Sequence, residues 1–305
     1  MSIESRGLIL LALLSLIWGA YFLLIEIADD SVPPLAIATV RLGIGALVLY
    51  PVLKWQGGRL PPLGREWAPF VIIGLFEALL TTILVSFGET HISSALAAVL
   101  FSTMPVFTVL LGHLWLREPF TLNKTLGVAI GFIGTLIVLL PTLSQGAGAG
   151  AVLLGALAVL LASLSKAFAA LYSHNVLKAR EPLETAVTMM ICAAAIGLPL
   201  TLILENPAQI NPTLESLVAL IALGVFTAGI GFLLFFWLVK HRGPTFASIV
   251  RFNEPPIAIF LAAIFAGTAI HWTTLLGTAV ILLCIAIMNG YLDPLLQRNN
   301  IVNRG

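Results

Sequence analysis

Charge is what this sequence has least of. Lysine, arginine, aspartate and glutamate make up 10% of its 305 residues, where an ordinary soluble domain carries roughly a quarter. With 59% hydrophobic residues and a mean hydropathy of +1.07, too little polar surface remains to cover a water-soluble fold. The net charge of +1 lacks the basic surplus that nucleic-acid binding needs. Cysteine is nearly absent, and Cys192 and Cys284 both lie inside apolar stretches. They read as small buried hydrophobes, not as a disulfide or a metal site. The histidines, His91, His113, His174, His241 and His271, fall near the ends of different apolar stretches, with no pair at metal-ligand spacing. Neither Gly-x-Ser-x-Gly nor Gly-x-x-x-x-Gly-Lys-Ser/Thr occurs, so an enzyme would have no recognisable nucleophile and base. No cofactor and no metal are expected.

Long apolar runs are what the chain has instead. Ten can be drawn, at residues 7–28, 34–53, 67–88, 92–114, 122–140, 150–173, 183–203, 214–238, 245–268 and 273–291, each near the roughly 20 residues that cross a bilayer as a helix. No small-residue cleavage site follows the first run, so it is expected to stay as a helix. The charges fix sidedness. With the N-terminus inside, Arg6, Lys54, Arg59, Arg65, Arg117, Lys124, Lys178, Arg180, Lys240, Arg242, Arg298 and Arg304 all fall in cytoplasmic segments, while the opposite segments carry Asp29, Asp30, Glu89 and Glu205. This is the asymmetry of the positive-inside rule. An all-α integral membrane protein of ten helices, with both termini cytoplasmic, follows.

The run Gln145 to Gly150 joins two halves that match in sequence, 1–145 and 146–305. A shift of 150 places Gly74 on Gly224, Phe76 on Phe226, His91 on His241, Pro105 on Pro255, Leu126-Gly127 on Leu276-Gly277 and Ile137 on Ile287. A shift of 148 places Ser15-Leu16 on Ser163-Leu164 and Pro34-Leu35 on Pro182-Leu183. Five helices per half is an odd number, so the second half enters the bilayer upside down. Such 5+5 inverted repeats are the architecture of secondary transporters, whose substrate site lies near the midplane between the repeats.

Several segments carry a family resemblance: Trp18-Gly19, Ser94-Ala95-Leu96-Ala97-Ala98-Val99-Leu100 followed by Met104-Pro105-Val106-Phe107, and Leu116-Arg117-Glu118-Pro119 followed by Gly127 to Gly134. On these the chain resembles the drug/metabolite transporter superfamily and its EamA-type members. The resemblance implies a ten-helix carrier of small metabolites with helices five and ten outside a central cavity, and leaves the metabolite open.

Arg41, Glu77, Lys166, Arg251 and Glu254 sit inside the apolar runs. Each costs about 2.5–3.5 kcal/mol at a helix centre, so such residues face the bundle interior and are the first candidates for a substrate site. At about 1.5 Å of rise per residue, Glu77 lies roughly 15 Å and Glu254 about 13 Å from the cytoplasmic ends of their helices. Arg251 and Glu254, three apart, can pair on one face; alternatively Arg251 and Lys166 hold a substrate carboxylate or phosphate. Glu77 is either a proton carrier or a polar strut to a neighbouring helix. Proline removes backbone donors here, freeing the carbonyl of Phe101 at Pro105 and those of Arg251 and Phe252 at Pro255 and Pro256, and irregular backbone at that depth is tolerated beside a wet cavity.

Trp18, Phe22, Phe76, Phe101 and Phe252, with Tyr21, Phe168 and Tyr172, cluster near the same level and would suit an amphipathic small molecule. Gly127-x-x-x-Gly131 permits close helix approach, within a monomer or across a homodimer; both states are open. The expectation is a multi-pass carrier in a bacterial cytoplasmic (inner) membrane, partnered by lipid and a small-molecule substrate and by no nucleic acid. It would export amino acids or related zwitterions by alternating access. An exchanger of organic anions or phosphates, a drug exporter and a channel are the rivals.

Overall fold

The computed structural model describes residues 3–116, 122–143, 149–177, 180–205, 208, 210–242, 250–265 and 271–288. Among them there is no strand. The helices are α1 (Ile3–Asp29), α2 (Pro34–Trp55), α3 (Ala68–Ile73), α4 (Leu80–Glu89), α5 (Ser94–Phe101), α6 (Met104–Leu116), α7 (Leu122–Leu143), α8 (Ala149–Val176), α9 (Pro182–Leu204), α10 (Leu214–Ala222), α11 (Gly231–Arg242), α12 (Val250–Phe265) and α13 (Trp272–Met288). Local chemistry sets their starts. Pro34 and Pro182, partners under the repeat, open α2 and α9, where a missing N–H costs nothing. Ser93 and Thr213 accept the first free amides of α5 and α10, from Leu96 and Ser216.

Seven helical stretches among the described residues are long and apolar enough to cross a membrane: Arg6–Asp29, Pro34–Trp55, Arg65–Glu89, Ser94–Trp115, Gly150–Ser173, Pro182–Leu204 and Leu214–Phe235. Three shorter apolar helices, Thr125–Val138, Asn253–Phe265 and Trp272–Cys284, lie where the fifth, ninth and tenth spans are expected. The polarity of the bundle suits lipid. Leu47, Ile203 and Phe260 are 75%, 76% and 63% exposed, while Ser86, Ser163 and Thr188 are fully buried. Both cysteines are buried and free.

Contacts between helix ends agree with the charge map. Glu66 pairs with Arg180, and the Arg6 guanidinium lies 5.2 Å from the Trp237 ring centroid; all four residues fall at ends expected inside. At the other face the Glu205 carboxylate accepts from the Leu35 and Ala36 amides at 2.9 and 2.7 Å, and Thr213 N donates to Ser31 Oγ at 2.9 Å.

Two stretches are π-helical, Gly74–Leu79 between α3 and α4 and Leu223–Ile230 between α10 and α11. A shift of 150 superposes them, so the repeat extends to backbone irregularity. Each widened turn offers a carbonyl to a side chain: Phe76 O accepts from Thr81 Oγ1 and Ser165 Oγ at 2.6 and 2.7 Å, and Thr227 O accepts from Trp18 Nε1 at 3.1 Å.

The proline sites are less symmetric than the sequence suggests. In the first half the helix breaks at Ser102 and Thr103, between α5 and α6, and Ser163 Oγ of α8 donates to the Phe101 carbonyl freed by Pro105, at 3.2 Å. In the second half α12 runs unbroken through Pro255 and Pro256. The difference lies in the side chains before the proline. The hydroxyls of Ser102 and Thr103 donate to the carbonyls of Val99 and Leu100 at 2.6 and 2.7 Å, which favours a turn. The equivalent Phe252 and Asn253 carry no hydroxyl, and Asn253 Nδ2 reaches across to Ser15 Oγ of α1 at 3.0 Å.

α7 and α13 pack on each other. A Cβ at Gly131 would stand 3.0 Å from Cys284 Sγ and one at Gly277 2.1 Å from Val138 Cγ2, so Gly131 serves packing inside the chain. Neither helix contributes to the cavity described next.

Candidate functional site

Trp18, Phe22, Arg41, Glu77, Phe101, Lys166 and Glu254, all singled out by sequence, line one cavity. Tyr21, Leu42, Ala78, Thr81, Thr82 and Phe232 complete its wall. Helix α1 supplies the aromatic side and α2 the arginine. The first π segment and α4 supply the acid and two threonines, α5 supplies Phe101, and α8, α11 and α12 close it from the second half.

Lys166 Nζ stands 2.7 Å from Glu77 Oε1, with side chains 13% and 19% exposed. Glu77 is therefore no isolated carboxyl. Lys166 also lies 5.9 Å from the Phe101 ring centroid. Glu254 is 6% exposed and forms part of the wall. The side chains of Arg251 and Phe252 lie outside the described residues, and with them the expected Arg251–Glu254 pair.

Arg41, 9% exposed, is held by neutral groups. Its Nη1 donates to Thr82 Oγ1 at 2.8 Å and its Nε to Thr227 Oγ1 at 3.3 Å, and its guanidinium lies 4.8 Å from the Tyr21 ring centroid. Among the described residues no carboxylate forms an ion pair with it. A guanidinium has five N–H donors, so those two bonds leave capacity directed at the cavity. This arrangement suits an anionic guest.

Trp18 is fixed by close backbone approach on both sides. A Cβ at Gly19 would stand 2.4 Å from Ile257 Cγ2, and one at Gly231 2.5 Å from Trp18 Nε1. Its ring packs on Phe232 and Phe235 at 5.7 and 5.3 Å between centroids. Phe76 departs from expectation, since its ring turns away from the cavity to meet Phe168 edge-on at 4.9 Å. On a helix the adjacent Glu77 points about 100° away, so both cannot face the same space. Phe76 contributes its carbonyl instead.

Thr82 and Phe232 were not singled out by the sequence, although a shift of 150 places one on the other. No group of three or more His, Cys, Asp or Glu side chains is arranged for a metal among the described residues.

The EamA-like transporter family profile matches residues 5–140 and again 153–290. The inner membrane transporter YedA of Escherichia coli, itself uncharacterised, is 28% identical over 292 residues, covering 92% of this chain and 90% of YedA. The uncharacterised transporter YoaV of Bacillus subtilis is 26% identical over 280 residues, covering 91% and 94%. An uncharacterised transporter of Archaeoglobus fulgidus is 24% identical over 281 residues, covering 92% and 97%. A solved crystal structure superposes with a TM-score of 0.66 at 20% identity, over 95% of this chain and 99% of the other, and so shares the fold.

Proposed function

The chain belongs to the EamA-like transporter family, and from that premise we propose a carrier that exports amino acids or related zwitterions across a bacterial cytoplasmic membrane. Its ten helices form two inverted repeats, 1–145 and 146–305, with both termini in the cytoplasm, and alternate access to the cavity between them. The observation that carries this reading is Arg41, a buried cation that forms no ion pair among the described residues, in one cavity with Glu254 and the Lys166–Glu77 pair. A zwitterion would give its carboxylate to Arg41 and its ammonium to the Glu254 side. Trp18, Phe22 and Phe101 enclose its apolar part, and the charge of Lys166 borders the site. Exchange of organic anions or phosphates is the second reading, favoured by the same buried arginine.

Reconstitution into liposomes tests it. Uptake of labelled amino acid should saturate with concentration and accelerate when vesicles are preloaded with the unlabelled compound. Linear flux without counterflow identifies a channel, and counterflow with sugar phosphates but not amino acids selects the second reading.

A further inference from the structure

Three carboxylates gather at the outer end of α1 and α4, away from the cavity wall. Asp29 accepts from Ser86 Oγ of α4, and Glu26, one turn earlier on α1, accepts from Ser94 Oγ at the start of α5. Glu89 stands one turn beyond Ser86, which places it beside Asp29, and both Asp29 and Glu26 act on it electrostatically. Glu89 is 7% exposed, and neither of its carboxylate oxygens has a hydrogen-bond partner; Asp29 Oδ2 has none either.

Apart from the Glu26 backbone, which favours the charged form, no described group around Glu89 supports a negative charge. It ends α4 as Asp29 ends α1, and a helix C-terminus repels anions. Glu205 on the same face shows the contrary case, a carboxylate at the N-terminus of α2 that accepts two backbone amides. The groups that α1 turns toward Glu89 are Asp29, Glu26 and Tyr21. Arg41 of α2 lies over the Tyr21 ring, and α5 and the outer half of α8 carry no ionisable residue. His91, on the connection after α4, is turned to Phe87 and Thr90. A buried carboxylate with neither donor nor cation is costly, and adjacent carboxylates do not all ionise.

We propose that Glu89 is a proton-binding site on the outer face, its proton directed at the vacant oxygen of Asp29, so that a protonated Glu89 ties the end of α4 to the end of α1. Tyr21 interacts electrostatically with both Glu89 and Arg41, which gives the proton a route of influence on the cavity; that last step rests on the carrier reading, the proton site itself does not.

Infrared spectroscopy of the protein in lipid tests the site without any substrate. At neutral pH the wild type should show the carbonyl band of a protonated carboxylic acid, lost in Glu89→Gln, shifted in Asp29→Asn and retained in Glu77→Gln. A folded state that binds one proton more than the unfolded chain loses stability as pH rises, so melting temperature should fall with pH in the wild type and flatten in Glu89→Gln. If Glu89→Gln cannot be recovered, an unshifted band in Asp29→Asn overturns the proposal by itself. So does a spectrum without a protonated-acid band, or a stability that rises with sodium and is indifferent to acid. Liposome counterflow without a pH gradient remains a separate test of the carrier reading.

Discussion

Lys166 and Glu77 meet at 2.7 Å, and under the repeat they occupy the positions of Trp18 and Thr227, joined by an indole N–H to carbonyl bond of 3.1 Å. The same junction, a π segment of one half against the first helix of the other, is thus closed once by an ion pair and once by a neutral donor. Only the charged copy needs both partners at once.

Removing one partner should therefore cost far more than removing both. Lys166→Met leaves Glu77 buried and uncompensated, a loss of about 3–5 kcal/mol for buried pairs, and Lys166→Met with Glu77→Leu should regain most of it. Unfolding in mixed micelles checks this. A single variant as stable as wild type would mean that the pair contributes nothing to holding α8 against the π segment.

Much of this was legible in the sequence, because bilayer constraints act locally. Apolar length and the parity of Lys and Arg each need only one segment and its neighbour, and the register of the repeat needs only the sequence laid against itself. Pairing across the bundle does not follow from periodicity. Helical spacing could suggest Arg251 with Glu254, three apart, but not Lys166 with Glu77, which meet only because α8 packs on the first π segment. Phe76 shares the level of the cavity aromatics along its span, but its neighbour Glu77 takes the place at the wall. Asp29 and Glu89 read as outward loop acids because their burial arises from α1 packing on α4.

Trp18 tests the neutral junction. Trp18→Phe keeps a ring against Phe232 but removes the donor to Thr227 O, leaving a buried carbonyl of the second π segment unpaired, at about 1–3 kcal/mol. The melting temperature should fall while Lys166→Met adds its own loss, since one junction is the Trp18–Thr227 bond and the other the Lys166–Glu77 pair. Strong coupling between the two variants would show that the halves do not close separately.

Sidedness is open to chemistry. Single cysteines at Gly57, Pro119, Lys178 and His241 should react with an impermeant thiol reagent only from the cytoplasm, and those at Asp30, Thr90 and Ala208 only from outside. The native Cys192 and Cys284 are buried and should stay silent. Labelling of any position from the wrong side breaks the parity on which ten spans and an inverted second half depend.

Arg41 separates recognition of an anion from mere occupancy of the cavity. Because its described contacts are two hydroxyls and a ring, Arg41→Gln removes a charge without stranding an acidic partner, and folding should be largely retained. Binding of a carboxylate guest should suffer heavily, since truncating one side of a buried charged hydrogen bond costs on the order of 2–5 kcal/mol. Arg41→Lys should recover only part, because an ammonium cannot grip a carboxylate through two parallel bonds. Amino acids and their amides supply the control in a thermal-shift titration: wild type should prefer the acid, and Arg41→Gln should lose that preference while binding the amide as before. An equal loss for both forms would make Arg41 a brace between α2 and the two π segments rather than the group that reads the substrate.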